Sequence, residues 1–425
     1  MAITIQQQPT TSQVYSVGNP IECLVSSNLT WAANFKFQVK VYGNSTLLAT
    51  LRYDIIPNTT QAYINISNIL KSKIAENITN LISAVPNLKN ETLKFHSGRV
   101  DIQEYYGTIP AVASGSVTTG NTFYFYNGSL KFVDWQRGDL SKYRINSASG
   151  VDTINQRFLT KFNNFAPVSI SVVDGAPLDY FAGQYPLKKI TSTQFAQLQY
   201  LWEGSSGTQT PKIRGYTATY SNTYVATGGT IASTPSFDSL NYGVTALLAM
   251  SYTGSLDDTT KYLAIAVGNA TSILTGCYLF EIDWSPCSRF DSFEIHWLNS
   301  LGGWDNWVFN KRSTKETIIK RKSFNPTVLP ISGSTIVHNT FDISNKNFIV
   351  STSEKYKLNS DWLKQADYAA LEDLITSPLV YWKSTDGFVN IAISNPETFV
   401  KKTNTVDKLI SLSFEFEIDN QDRRQ

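Results

Sequence analysis

The chain has 425 residues, 42% of them hydrophobic and 13% aromatic, enough apolar material for several packed cores and too much for a disordered chain. Thirty-six Lys and Arg stand against 34 Asp and Glu, a formal net charge of +2, so no global field draws the molecule onto nucleic acid or an anionic membrane. Three cysteines, Cys23, Cys277 and Cys287, are too few and too unevenly spaced for a disulfide framework and read as buried thiols, a Cys277–Cys287 bridge being the alternative.

No run reaches the ~18 consecutive apolar residues of a membrane helix, and Met1-Ala-Ile-Thr-Ile-Gln6 lacks the basic start and apolar core of a signal peptide. The expectation is a protein made in the cytoplasm, without a signal peptide or transmembrane segment and with no membrane partner.

In chain order, the first strong signal is Phe35-Lys-Phe-Gln-Val-Lys-Val41, whose strict alternation puts apolar side chains on one face of a half-buried strand. Ile69–Leu81 reads as a short helix. Gly107-Thr-Ile-Pro110 closes a first unit, 1–110. Phe123–Tyr126 and Ser169–Val173 read as strands, and Ser192–Trp202 as a further helix. Gly/Ser/Thr-rich tracts at 203–210 and 226–230 interrupt a central region, 111–290. Tyr278–Trp284 and Phe293–Trp297 repeat the alternation.

In the last region, 291–425, a helix over 361–376 is marked by apolar residues at helical spacing, a cap at Ser360 or Asp361, and Pro378 beyond its end. Phe388–Ile393 and Leu412–Ile418 close the chain as strands. Leu412, Phe414, Phe416 and Ile418 share one face worth roughly 6–12 kcal/mol when buried. That strand must therefore be paired, and pairing within its own domain is expected over addition to a neighbour's sheet, with the polar tail 420–425 left free or reaching a neighbour. The fold class is mainly β and multidomain: an immunoglobulin-like N-terminal β-sandwich, then further sandwich- or barrel-like domains, with few short helices.

Chemistry leaves little trace. Of the three histidines, His96, His296 and His338, none lies in a nucleophile context, and no phosphate loop, zinc motif or dinucleotide fingerprint occurs. No catalytic, cofactor-binding or metal-binding residue is assigned, no cofactor is expected, and the chain reads as a non-enzyme. A glycosidase needs only two carboxylates across a cleft, and Glu281, Asp283, Glu294 and Asp305 lie among Trp284, Trp297, Trp304 and Trp307. In alternating strands, however, Glu281, Asp283 and Glu294 fall on the polar face. The basic run from Lys311 and Arg312 to Lys322 reads as a solvated hairpin flank, the one place where nucleic acid could be met, and more readily a contact with a neighbouring subunit.

Phe293-Glu-Ile-His-Trp-Leu-Asn-Ser-Leu-Gly-Gly-Trp-Asp-Asn-Trp-Val-Phe309 reads as strand, Gly-Gly turn, strand, with Gly302 and Gly303 supplying positive φ. The pattern resembles the Trp-x-Asn-x-x-Gly-Gly-x-Asp-x-x-x-Phe hairpin of tail-associated virion structural proteins of tailed bacteriophages infecting Bacteroidetes, crAss-like phages included. Further stretches resemble the same proteins: Gly18–Asn28 with Phe35–Val41, Asn127–Phe132, Arg157–Thr160, and the C-terminal run from Leu371 through Tyr381 to Asp419.

The resemblance implies a virion tail component, a ring, hub or adaptor subunit with copies of itself and other tail or portal-proximal proteins as partners. The competing reading is a receptor- or glycan-binding tail-tip protein or adhesin. The residues expected to be structural or at interfaces are Trp297, Asn299, Gly302, Gly303, Trp304, Asp305, Trp307, Phe309, Lys311, Arg312, Phe414 and Phe416.

Overall fold

The computed structural model describes residues 3–74, 88–108, 111–131, 135, 139–146, 155–168, 185–203, 208–219, 221–227, 235–242, 247, 252–269, 272–285, 289–324, 331–337, 346–360, 363, 365–394, 411–419 and 423–424. The chain is mainly β and is built as several separate open sheets, with no closed barrel among the described residues. It divides into two compact units. The first comprises Met1–Pro286, His296–Asn306 and Ala369–Leu379, and the second Cys287–Ile295, Trp307–Tyr368 and Val380–Gln425.

The first unit begins with a sandwich of two sheets. One has the order Thr4–Gln7, Glu22–Ser26, Gln61–Asn65; the other runs Val14–Ser16, Phe123–Tyr126, Phe95–Thr108, Lys36–Gly43, Thr46–Tyr53. Alternation is regular in Lys36–Gly43: Phe37, Val39 and Val41 point inward between half-buried Lys36, Gln38 and Lys40. They meet Cys23, Val25 and Ile64 of the opposing sheet, with Val100, Ile102, Phe123 and Phe125 beside them.

A second sandwich in the same unit packs the sheet of Arg144–Ile145, Gln197–Trp202, Ser236–Asn241 and Leu88–Asn90 on one containing Thr210–Tyr216, Tyr262–Gly268 and Cys277–Asp283. Tyr200, Trp202, Leu240, Ile213, Ile265, Tyr278 and Phe280 form its core. A smaller cluster of Val14, Tyr126, Leu130, Leu159, Leu201, Phe237 and Leu301 joins the two sandwiches.

Three expectations are corrected here. Residues 197–202, expected in a helix over Ser192–Trp202, form a strand that pairs antiparallel with Ser236–Asn241 and parallel with Arg144–Ile145. All six residues are buried, so no alternation advertises the strand, and sheet pairing overrides local helix propensity. The C-terminal helix spans Gln365–Thr376, and Ser360 does not cap it: its hydroxyl oxygen accepts the Leu412 N–H at 2.8 Å. Nor is the tail free or reaching a neighbour at Arg423 and Arg424, which pair with Val350 and Ile349 of the same chain. At Ile69–Leu81 the described helix is Ser67–Lys71, the remainder lying outside the described residues, as do Ser169–Val173, Asp361, Trp362 and Cys287. Cys23 and Cys277 are buried free thiols.

In the second unit the central sheet has the order Thr314–Phe324, Lys346–Asn359, Ser413–Asp419, Ala392–Ile393. The closing strand pairs within this unit: Leu358 opposes Phe414 and Tyr356 opposes Phe416. Phe414 and Phe416 are fully buried. Tyr356 stacks on Phe416 at 5.0 Å, Trp382 and Phe293 close around Tyr356, and Phe309 stacks on Phe414 at 5.7 Å. No helix among the described residues is long and apolar enough to cross a membrane.

Candidate functional site: the node around the glycine-rich hairpin

The turn between Trp297 and Asp305 sits in the first unit and is buried almost throughout. A buried turn must find partners for its backbone polar groups, and Asn299 supplies them. Its side-chain oxygen accepts the N–H groups of Leu301 and Gly303, each at 3.0 Å. Its amide nitrogen donates to the Leu159 carbonyl at 2.9 Å and to Asp305 Oδ2 at 2.8 Å.

Asp305 gathers the other donors. Oδ1 accepts the Thr160 hydroxyl, and Oδ2 accepts the Lys161 N–H at 3.0 Å. Burial pushes this carboxyl above the usual carboxylate range, opposed by the charge of Lys188 and by the three hydrogen bonds it accepts. Lys188 holds Asn306 Oδ1 at 3.0 Å and lies 3.8 Å from the centre of the Phe162 ring. Gln199 ties in the next strand: its side-chain oxygen accepts the Trp304 N–H at 2.8 Å and its carbonyl accepts the Leu159 N–H at 2.7 Å.

The two glycines act for different reasons. Gly302 has φ +87°, and a Cβ there would lie 1.6 Å from the Asn127 carbonyl oxygen. Gly303 is not in the left-handed region, which corrects the expectation of positive φ at both positions. What excludes a side chain at Gly303 is close approach, since a Cβ would lie 2.0 Å from the Leu159 carbonyl oxygen.

Around this turn four further stretches come together. Ser129 donates its N–H to the Ser300 carbonyl at 2.7 Å, and the Gly18 N–H reaches Gly128 O at 2.7 Å. Asn19 clasps Leu130 from both sides, donating to its carbonyl and accepting its N–H, each at 2.8 Å. Asp373, on the helix, accepts the Ser300 N–H at 2.9 Å and the Ser300 hydroxyl at 3.0 Å. The Ser377 hydroxyl donates to Leu298 O at 2.8 Å. Gly18–Asn19, Asn127–Leu130, Leu159–Lys161, Trp297–Asp305 and Asp373–Ser377 thus form one hydrogen-bonded node. A cleft of about 700 Å³ opens beside it, lined by Asn, Ser and Thr side chains with Lys71 and Asp373. The Asn19, Asn299 and Asp373 oxygens on its wall already accept bonds from the protein itself.

The remaining sequence-assigned residues separate. Trp297 is fully buried and Trp304 nearly so, the latter with the Lys94 ammonium 5.7 Å from its ring centre. Trp307 is half-buried, Lys311 half-buried and Arg312 exposed, all three in the second unit, where Phe309, Phe414 and Phe416 are core. The carboxylates considered for a sugar cleft do not act together. Glu281 lies between Lys189 and Lys261 at 3.8 and 3.7 Å, Asp283 is exposed, Glu294 pairs with Lys383 at 3.2 Å, and Asp305 is sealed in the node. His96 takes an N–H from Asn44 on Nδ1 and donates from Nε2 to Leu93 O, a neutral, fully engaged ring whose pKa burial lowers. Among the described residues no three His, Cys, Asp or Glu side chains are grouped so as to hold a metal.

Sequence reasoning missed Thr160, Lys161, Gln199 and Lys188 as partners of the hairpin. Only the resemblance at Arg157–Thr160 pointed near them.

No family model matches this sequence, and no curated protein is similar to it. Among solved structures, the chain is similar to the full extracellular region of plexin A4 in two structures, at 11% identity in each. Domains 1 to 8 of that region match at a TM-score of 0.19 over 66% of this chain and 24% of the plexin chain. Domains 1 to 10 match at 0.20 over 66% and 21%. The chain therefore spans less than a quarter of the plexin region.

Proposed function

We propose that this chain is a structural subunit of the tail of a bacteriophage infecting Bacteroidetes, among the crAss-like and related phages. It builds a ring, hub or adaptor from several copies of itself and meets other tail or portal-proximal proteins in the virion. The observation that carries this reading is the node. Five stretches were picked out separately along the sequence for their resemblance to such proteins, and they meet in space and hold one another by hydrogen bonds. Asn299, Gly302, Gly303 and Asp305 are engaged in fixing neighbouring chain segments, which suits a scaffold and leaves the motif no free group for chemistry. The reading includes no enzymatic activity and no cofactor.

A receptor- or glycan-binding role is the second reading, and one feature favours it: Trp31 stands 81% exposed in the loop 28–34, a ready stacking platform for a sugar face. Trp304, buried in the node, is no such platform. Negative-stain imaging of the purified protein separates the two. Closed particles of uniform size support the subunit reading. Single particles of monomer size that bind a glycan array through Trp31, and lose binding in Trp31→Ala, support the other.

A further inference from the structure

Among the described residues, the strand Thr314–Phe324 forms one edge of the second unit's central sheet and is hydrogen-bonded on one side only, to Lys346–Asn359. All eleven of its side chains are exposed, on both faces, along an edge roughly 35 Å long. Ile318, Ile319 and Phe324 are exposed on it, and Phe348 on its partner strand. An unpaired edge is a template for another strand. Edges are commonly blunted by proline, glycine or a bulge. This strand contains no Pro or Gly, and the irregularity in the pair lies on the partner, where Asn347 follows Ile349 opposite consecutive residues Ser323 and Lys322.

Lysines also blunt edges, and here their placement is informative. Antiparallel self-pairing admits three registers centred on the two isoleucines. With Ile318 opposite Ile318, Lys315 faces Arg321; with Ile318 opposite Ile319, Lys315 faces Lys322. With Ile319 opposite itself, Glu316 faces Lys322 twice by symmetry, Lys320 faces Ile318, Arg321 faces Thr317, and no like charges meet. This register engages Glu316 and Lys322 in both directions, which singles out the same strand of a second copy as the partner.

We propose that Thr314–Phe324 pairs antiparallel with the same strand of a second copy, centred on Ile319, merging two central sheets across a two-fold axis. The inference rests on the reading of the chain as an assembling subunit and adds that copies associate in pairs, so that an assembly built through this edge has an even copy number.

The test is a cysteine pair across the axis. Ile319→Cys places two sulfurs on directly opposed residues, within disulfide reach, whereas Thr317→Cys sets them four residues out of register. Under mild oxidation of the full-length protein, Ile319→Cys is expected to give at least tenfold more covalent dimer than Thr317→Cys or wild type. Cys23 and Cys277 do not compete, because burial pushes both thiols up to about 12. Lys322→Glu should weaken dimerisation at least tenfold, and Glu316→Lys with Lys322→Glu should restore it. Equal cross-linking of the two cysteine variants overturns the pairing, as does a wild-type assembly of odd copy number, which leaves the subunit reading standing. A protein that neither cross-links nor associates at any concentration overturns both. Salt-sensitive binding of single-stranded DNA, lost in Lys320→Ala with Arg321→Ala and unaccompanied by the Ile319→Cys dimer, also overturns it, assigning the edge to nucleic acid.

Discussion

Replacing Asp305 by alanine removes the acceptor on which three donors converge: the Thr160 hydroxyl, the Lys161 N–H and the Asn299 amide. The Asn299 amide keeps the Leu159 carbonyl, and the Lys161 N–H is only partly buried, so these two lose less than a fully orphaned donor. Thr160 is the most exposed to loss, because its hydroxyl oxygen also accepts the Phe162 N–H at 3.2 Å and is fixed in place. Each buried unsatisfied group costs roughly 1–3 kcal/mol, and the missing carboxylate leaves a small void, so the variant should lose about 4 kcal/mol. Part of that is offset because the carboxylate was itself held against desolvation, as its raised pKa shows.

Asp305→Asn is the informative control. With its oxygen toward Lys161 and Asn299 and its NH₂ toward Thr160, it keeps most acceptors and should lose only about 1–2 kcal/mol. Thermal unfolding followed by tryptophan fluorescence should place Asp305→Ala roughly 8 °C below wild type, at about 2 °C per kcal/mol for a large domain, with Asp305→Asn between them. An Asp305→Ala protein that melts with wild type would refute the idea that this carboxylate organises the node.

Gly303→Ala should cost at least about 3 kcal/mol, because its methyl meets a carbonyl oxygen at 2.0 Å, whereas Gly387→Ala, strained at φ +126° but facing open space, should cost about 1–2 kcal/mol; equal melting temperatures for the two would contradict the close-approach argument. Burial raises the Asp238 pKa to about 6. Its contribution to stability is therefore present below about pH 4 and lost as pH rises through 6, a penalty of roughly 3 kcal/mol at pH 8. Asp238→Asn should consequently melt higher than wild type at pH 8 and alike at pH 4, and equal melting at both would exclude it. Phe414→Asp should abolish soluble expression, since it buries a charge in a fully enclosed aromatic stack, while deletion of 420–425 should retain the fold with the loss of only the Arg423–Arg424 pairing; a soluble, folded Phe414→Asp protein would show that the strand is not core.

Alternation made the half-buried strands legible to within a residue or two, because period two is written directly in the side chains. Phe35–Val41 emerges as Lys36–Gly43, Tyr278–Trp284 as Cys277–Asp283 and Leu412–Ile418 as Ser413–Asp419. Gln197–Trp202 was illegible for the complementary reason: it is covered on both faces, and its buried glutamines, one of which takes the Trp304 N–H, look in sequence like the polar side of a helix. The passage of the chain back and forth between the two units at 287–306, 368–380 and beyond leaves no break in composition. The hairpin was visible as a motif, but its work was not. That Asp305 is sealed while Glu281 is half-exposed, and that Gly303 answers to the Leu159 carbonyl, depends on segments more than a hundred residues away.

The subunit reading is tested most directly by native mass spectrometry of the purified full-length chain from sub-micromolar to hundreds of micromolar. A single closed species of fixed copy number that persists on dilution is the expected result. A protein that stays monomeric across the whole range would contradict it.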